Sequence, residues 1–222
     1  MLTLATEWAD KMRTGRLSKA DSWLAIMSTI MRTLAYPLSA LNLTEAQYDD
    51  LLRPILMYGL PAMGICRHFA RDIVFAPKLY RGTGLKHLYT QQEISRLLDI
   101  MSHTHQNSTT GSLYTSSFEL LLVEVGLGTI IHSIPSPLLQ YLATDSLIKS
   151  TCLFLNHHWL QLCHTIQLLP DRQNNTHIME GFLNAGATTD ELIRLNKCRL
   201  FLSSYYISDI ATGNGSKITE DA

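Results

Sequence analysis

The chain has 222 residues, 46% of them hydrophobic, enough to bury a core in one large domain or two small ones. Its 18 Lys and Arg against 19 Asp and Glu give a net charge of -1, which excludes a general pull toward polyanions or anionic membranes, so any basic surface is local. Four widely spaced cysteines, Cys66, Cys152, Cys163 and Cys198, suit small reduced side chains better than a disulfide framework.

Residues 1–14 and 18–35 are predicted helices. The second opens at Ser18 as N-cap, with Asp21 three residues on. Trp23, Ile26, Met27, Ile30, Met31 and Leu34 recur at spacings of three and four, which predicts one apolar stripe with Lys19, Ser22 and Arg32 turned to water. Tyr36-Pro37 ends this helix, because proline disfavours helical geometry in the residue before it. A third helix is expected from Thr44, with Gln47 in the reciprocal capping position and a kink at Pro54. From Gly59 to Leu88 the texture turns to Gly, Pro and basic residues, and only short helical or extended pieces are expected.

Helices resume at about 90–104 and 112–125. A Gly- and Pro-containing linker at 126–137 then precedes a long apolar stretch at 138–169, a final helix near 188–205 and a polar tail, 207–222. The tail's composition fits disorder or a cut through a longer protein. The sequence thus predicts a mainly α fold, a bundle of roughly eight to ten helices with an irregular basic middle. Its expected division is an N-terminal subdomain 1–125, the linker 126–137 and a C-terminal subdomain 138–206.

The longest apolar stretch, Leu120 to Ile131, is broken by Glu124, Gly126 and Gly128 and falls short of the roughly 20 residues that span a bilayer. Glu7, Asp10 and Lys11 stand where a secretory signal needs an unbroken apolar run, so an intracellular protein is expected.

Tyr48-Asp49-Asp50 invites comparison with the carboxylates of two-metal polymerases. Here the aspartates follow a helix cap and precede Leu51 and Leu52, so a solvated first turn is expected. Cys152, His157, His158, Cys163 and His164 are dense in potential metal ligands. They lack the paired Cys-x(2–4)-Cys spacing of a zinc site, and an ordinary buried helix is expected. Gly82-Thr83-Gly84, between Arg81 and Lys86, has neither the ending of a P-loop nor a dinucleotide fingerprint and reads as a turn. With no nucleophile elbow either, no enzyme, cofactor or metal site is expected of this chain.

The strongest physical signal is local charge. Between Arg53 and Arg96, seven cations (Arg53, Arg67, Arg71, Lys78, Arg81, Lys86 and Arg96) face only Asp72 and Glu93, with Phe69, Phe75, Tyr80 and Tyr89 interleaved. Cations that neutralise phosphates, alternating with rings that stack on bases, suit a nucleic-acid track.

Several segments follow one another in a particular order. They are Arg13-Thr14-Gly15 with Trp23, Tyr36-Pro37-Leu38, Gly59-Leu60-Pro61, Gly64-Ile65-Cys66-Arg67, Gly82-Thr83-Gly84-Leu85 with Leu88-Tyr89, and Thr110-Gly111. After them come Glu124-Val125-Gly126, Leu195-Asn196-Lys197-Cys198-Arg199-Leu200, Ser208-Asp209-Ile210 and Thr212-Gly213-Asn214-Gly215. In that order and spacing the chain resembles the region following the polymerase core in retroelement reverse transcriptases of the non-LTR retrotransposon type.

The resemblance implies a thumb-and-connector role: helices that hold the template–primer duplex beside an upstream polymerase core of the same polyprotein, with no catalytic duty. Fingers, palm and metal-binding aspartates are absent, so no catalytic residue carries over. On this reading Arg67, Arg71, Lys78, Arg81 and Lys86 contact the nucleic-acid backbone, with Tyr80 and Tyr89 beside them. The competing expectation is a helical protein–protein interaction module whose partner surface is the apolar stretch 138–169.

Overall fold

The computed structural model describes residues 1–104, 106, 108–128, 136–160 and 176–211. Among them the fold is mainly α-helical, as the apolar spacing predicts, and an isolated antiparallel bridge joins His177 and Tyr206. No helix among them is long and apolar enough to cross a membrane. The chain divides into two compact units, Met1–Leu98 and Asp99–Ala222.

Unit 1 is built on helix α1, Leu2–Thr14, packed along α4, Glu45–Ala62. Small Ala5 and Ala9, one helical turn apart, lie buried with Met12 on α1, while α4 buries Tyr48, Leu51, Leu52, Ile55, Leu56 and Leu60. The predicted helix at 18–35 is three consecutive pieces: α2, Lys19–Leu24, a π-helical segment, Ala25–Ile30, and α3, Met31–Ala35. Its caps follow the sequence. Ser18 Oγ accepts from the Asp21 N–H at 3.1 Å, and the helix stops before Pro37.

The stripe of Ile26, Ile30, Met31 and Leu34 is buried, and Lys19 and Arg32 are exposed. Ser22 differs from expectation, being buried with its hydroxyl unpartnered, because it stands one turn before Ile26 on the same face and position overrides polarity. Thr44 and Gln47 form the expected reciprocal cap on α4, and the helix continues through both Pro54 and Pro61. The irregular segment holds only α5, Arg71–Phe75, and a 3₁₀ turn, Lys78–Tyr80, before α6, Leu88–His103.

Tyr48, Gln92, Glu93 and Arg96 form a buried polar core of unit 1. Arg96 Nη1 donates to Glu93 Oε1 at 2.7 Å, its Nη2 donates to the Leu41 carbonyl, and Tyr48 donates to Gln92 Oε1 at 2.5 Å. Burial pushes the Tyr48 hydroxyl up to about 12, with Arg96 opposing and Glu93 reinforcing the rise. Arg96 therefore belongs to the interior and drops out of the basic surface that the charge count suggested.

Unit 2 contains α7, Thr109–Val125, α8, Ser136–Leu142, α9, Leu147–His157, α10, Ile178–Asn184, α11, Thr189–Phe201, and the short α12, Ile207–Ile210. The apolar stretch from 138 breaks into two helices at Ser146, whose side chain caps α9 by accepting from the Lys149 N–H. Lys149 Nζ donates to the Ala143 carbonyl at 2.8 Å and pairs with Asp145 at 2.9 Å, which occupies the carbonyl end of the turn. Leu138, Leu139, Ile148, Phe154 and Leu155 are buried while Tyr141, Trp159 and Leu160 are exposed, so the described part of that stretch is core on one side only, and 161–175 lie outside the described residues.

The division at Leu98 and Asp99 falls inside α6 and not in the linker expected at 126–137. Gly126 is the left-handed C-cap of α7, with φ of 78°, and a Cβ there would lie 2.5 Å from the Arg199 guanidinium. At Gly128 a Cβ would collide with the His177 ring. These glycines are close-packing points within unit 2, and residues 129–135 lie outside the described residues. The expected tail begins with α12, whose Asp209 carboxylate accepts from the Tyr205 and Tyr206 N–H groups at 2.9 Å each, and 212–222 lie outside the described residues.

Candidate nucleic-acid interface

The segment between α4 and α6 owes its shape to Thr83. Its N–H donates to the Ile73 carbonyl at 3.2 Å, its hydroxyl donates to the Val74 carbonyl, and the Leu85 N–H donates back to that hydroxyl at 3.2 Å. The Gly82 N–H donates to the Pro77 carbonyl at 3.1 Å and the Gly84 N–H to the Ala76 carbonyl at 3.0 Å. A Cβ on Gly82 would sit 2.0 Å from the Ala76 carbonyl oxygen, so only glycine fits. All three N–H groups of Gly82-Thr83-Gly84 are committed to backbone carbonyls and cannot cradle a phosphate. The motif is a clasp that fastens the loop onto α5.

The clasp positions the basic side chains. Lys78 lies against Gly84, whose φ is +78° and whose added Cβ would come within 2.9 Å of Lys78 Cγ. The Lys78 ammonium stands 5.4 Å from the centre of the Trp23 ring, a cation–π contact. Arg67 Nε donates to His68 Nε2 at 2.9 Å, and Arg71 Nη2 donates to the Arg67 carbonyl at 3.3 Å. Arg81 holds a left-handed backbone, φ 61°, as it closes the 3₁₀ turn. All five cations are exposed, and among the described residues none of them forms an ion pair.

The two tyrosines separate. Tyr80 is 74% exposed. Tyr89 is half-buried with its ring 6.4 Å from Tyr48, and burial holds its hydroxyl above the usual tyrosine value, so it packs on the core and offers no free face for a base.

Three adjoining clefts run along the first half of α6. The first, about 610 Å³, sets Arg53 and Arg71 against Glu45, Asp49 and Asp72. Asp49 lies 3.3 Å from His87, and Asp50 pairs with Arg53 at 2.7 Å, so the two aspartates of the Tyr-Asp-Asp string engage different partners on the helix surface. The second cleft, about 640 Å³, shares Phe75, His87 and Thr90 with the first and holds Lys78 and Lys86 with no carboxylate in its lining. The third, about 380 Å³, shares Lys86 and Gln91 and adds Met27, Met31 and Arg32. Phe75 meets His87 edge to face, centroids 4.8 Å apart.

Of the residues that the sequence singles out, the structure thus gathers Arg71, Lys78 and Lys86 along these clefts, while Arg67 and Arg81 line none of the three. Sequence reasoning missed Trp23 and Arg32, which come to the same surface from an earlier part of the chain, and His87, which stands next to Lys86. Spacing alone carries no signal for them. Among the described residues, no group of three His, Cys, Asp or Glu side chains is placed to hold a metal ion, and Cys163 and His164 lie outside them.

Comparison with protein-family models, curated proteins and solved structures gives no match to the chain.

Proposed function

We propose that this chain is a non-catalytic helical segment of a retrotransposon reverse transcriptase, and that unit 1 grips the sugar–phosphate backbone of a template–primer duplex. The supporting observation is the set of five exposed cations, Arg67, Arg71, Lys78, Arg81 and Lys86, outside any ion pair among the described residues, carried by α5 and the segments on either side of it, the later of which Thr83 clasps to α5. A cation without a protein counter-charge releases condensed counter-ions when it meets a phosphate, and so contributes affinity without reading sequence. The upstream polymerase core would supply the chemistry.

The test is binding of an RNA–DNA hybrid by the full chain across a salt series. Affinity should fall linearly on a log–log plot, and replacing all five cations by glutamine should flatten the slope by roughly 0.9 for each phosphate left without its cation. Absent binding at low salt, or affinity indifferent to salt, overturns the reading.

A second reading has its own observation. Trp159 and Phe201 of unit 2 are 93% and 89% exposed, large apolar side chains of the kind that anchor protein partners. A helical interaction module of this kind would form a concentration-dependent oligomer or complex that Trp159→Ala and Phe201→Ala weaken. A monomer at all concentrations, with the same behaviour in both variants, sinks it.

A further inference from the structure

The second cleft differs from its neighbour in charge balance. The first opposes two arginines with three carboxylates, whereas the second is lined by Lys78, Lys86 and His87 without any acid. Its remaining walls are largely apolar, from Phe75, Pro77, Leu85 and Ile94. A half-enclosed space of about 640 Å³ with apolar walls and a few convergent polar groups has the size and character of a small-ligand site.

Its first lysine is prearranged, with Gly84 beneath its side chain and the Trp23 ring under its ammonium. Fixing a long side chain before binding removes much of the entropy that capture of an anion would otherwise cost. Two ammonium groups outside any ion pair among the described residues match a phosphomonoester, which approaches two negative charges at neutral pH, better than an internal phosphodiester, which carries one.

We propose that this cleft is a terminal-phosphate pocket. It takes the phosphomonoester of a nucleotide, free or at a strand end, between Lys78 and Lys86, with the flat nucleoside against the apolar wall that includes Phe75. The inference rests on the backbone-binding reading for the strand-end case alone.

The experiment measures binding of the full chain to one short single-stranded oligonucleotide bearing a 5′-phosphate, a 3′-phosphate or neither, and to a nucleoside monophosphate. A terminal phosphate should tighten binding on the order of tenfold, as two charge-assisted contacts allow. The double variant Lys78→Gln, Lys86→Gln should lose that preference. Arg67→Gln with Arg81→Gln, which removes two cations outside the clefts, should weaken all strands alike and keep it.

Tight binding of the mononucleotide, abolished in the lysine variant, makes the source a free nucleotide; a phosphorylated strand bound far more tightly makes it a strand end. Equal affinity for strands with and without the phosphate, together with no mononucleotide binding, overturns the pocket even where salt-sensitive backbone binding survives. A preference that persists in the lysine variant overturns it too. Mononucleotide binding without duplex binding would instead keep the pocket and remove the backbone grip.

Discussion

Arg96 in unit 1 and Arg199 in unit 2 are buried to the same degree, 1% and 2% exposed, yet the two units neutralise them by different means. Arg96 meets a carboxylate, Glu93, one turn earlier on its own helix. Arg199 meets none among the described residues. Its Nη2 donates to the Val123 and Glu124 carbonyls at 2.6 and 2.8 Å, its Nε donates to Asn196 Oδ1 at 2.7 Å, and the guanidinium lies 5.5 Å from the centre of the Tyr205 ring. Those carbonyls are the free acceptors at the end of α7, where the helix dipole is negative. Unit 1 relies on an ion pair; unit 2 uses a cation as a helix cap. Gly126 belongs to the second arrangement, because a side chain there would occupy the space of the guanidinium.

The largest expected effect tests the ion pair. Glu93→Ala leaves Arg96 charged and enclosed, and loss of one partner of a buried pair costs about 3–5 kcal/mol. Chemical denaturation of the full chain, with hydrogen exchange read segment by segment, should show unit 1 opening first. Replacing both partners together, Glu93→Gln with Arg96→Met, should recover most of the loss. A single variant as stable as wild type would show that Glu93 does not balance Arg96.

Arg199→Met should cost less, about 2–3 kcal/mol, since it strips hydrogen bonds from Asn196 and two carbonyls but leaves no stranded charge. The exchange signature should sit in α7 and α11. An effect as large as that of Glu93→Ala would erase the distinction between the two modes.

Alkaline pH separates the units. Burial pushes Tyr48 up to about 12 in the folded chain against an ordinary 10, so the stability it contributes is complete below pH 10 and is lost as pH rises from there through 12. Burial pulls Arg199 below the ordinary arginine value, a shift opposite in direction to that at Tyr48, and the guanidinium stays protonated on its carbonyl acceptors, so unit 2 does not share the alkaline loss of unit 1. Segment-resolved exchange between pH 9 and 11.5, with Tyr48→Phe as the control that flattens the unit 1 slope, measures the difference.

The same contrast shows what the sequence discloses. Caps and helix-period stripes were legible at Ser18, Thr44 and along Ile26 to Leu34, because each depends on neighbours within four residues. Burial of a charge was not. Arg96 counted as surface, although Glu93 three residues before it on a predicted helix was a readable hint of pairing. Gly126 and Gly128 read as part of a linker because composition cannot tell a glycine that bends the chain from one that admits Arg199 or His177. The seven-residue α10 carried too short a pattern to stand out. The five cations around α5 were visible as a charge surplus, but the meeting of Lys78 with Trp23 joins residues far apart in the chain and belongs to tertiary packing alone.

The smallest effect isolates the caps. α4 and α11 both start in a reciprocal cap, Thr44 with Gln47 in unit 1 and Thr188 with Glu191 in unit 2. Thr44→Ala and Thr188→Ala should each cost about 1 kcal/mol. Acid distinguishes them. The Gln47 amide does not titrate, whereas the Glu191 carboxylate accepts from the Thr188 N–H at 2.8 Å and the Thr188 hydroxyl at 2.7 Å, and these bonds hold it below the usual glutamate value. A carboxylate with a lowered folded pKa gives a contribution that is present above its unfolded value and disappears as pH falls through the folded one. Exchange at the first turn of α11 should therefore accelerate, relative to the first turn of α4, as pH falls below about 4. Glu191→Gln should remove that difference while keeping the cap, because an amide oxygen still accepts the Thr188 N–H. If the two first turns respond to acid identically in the wild-type chain, the bonded Glu191 carboxylate is not what holds α11 at its start.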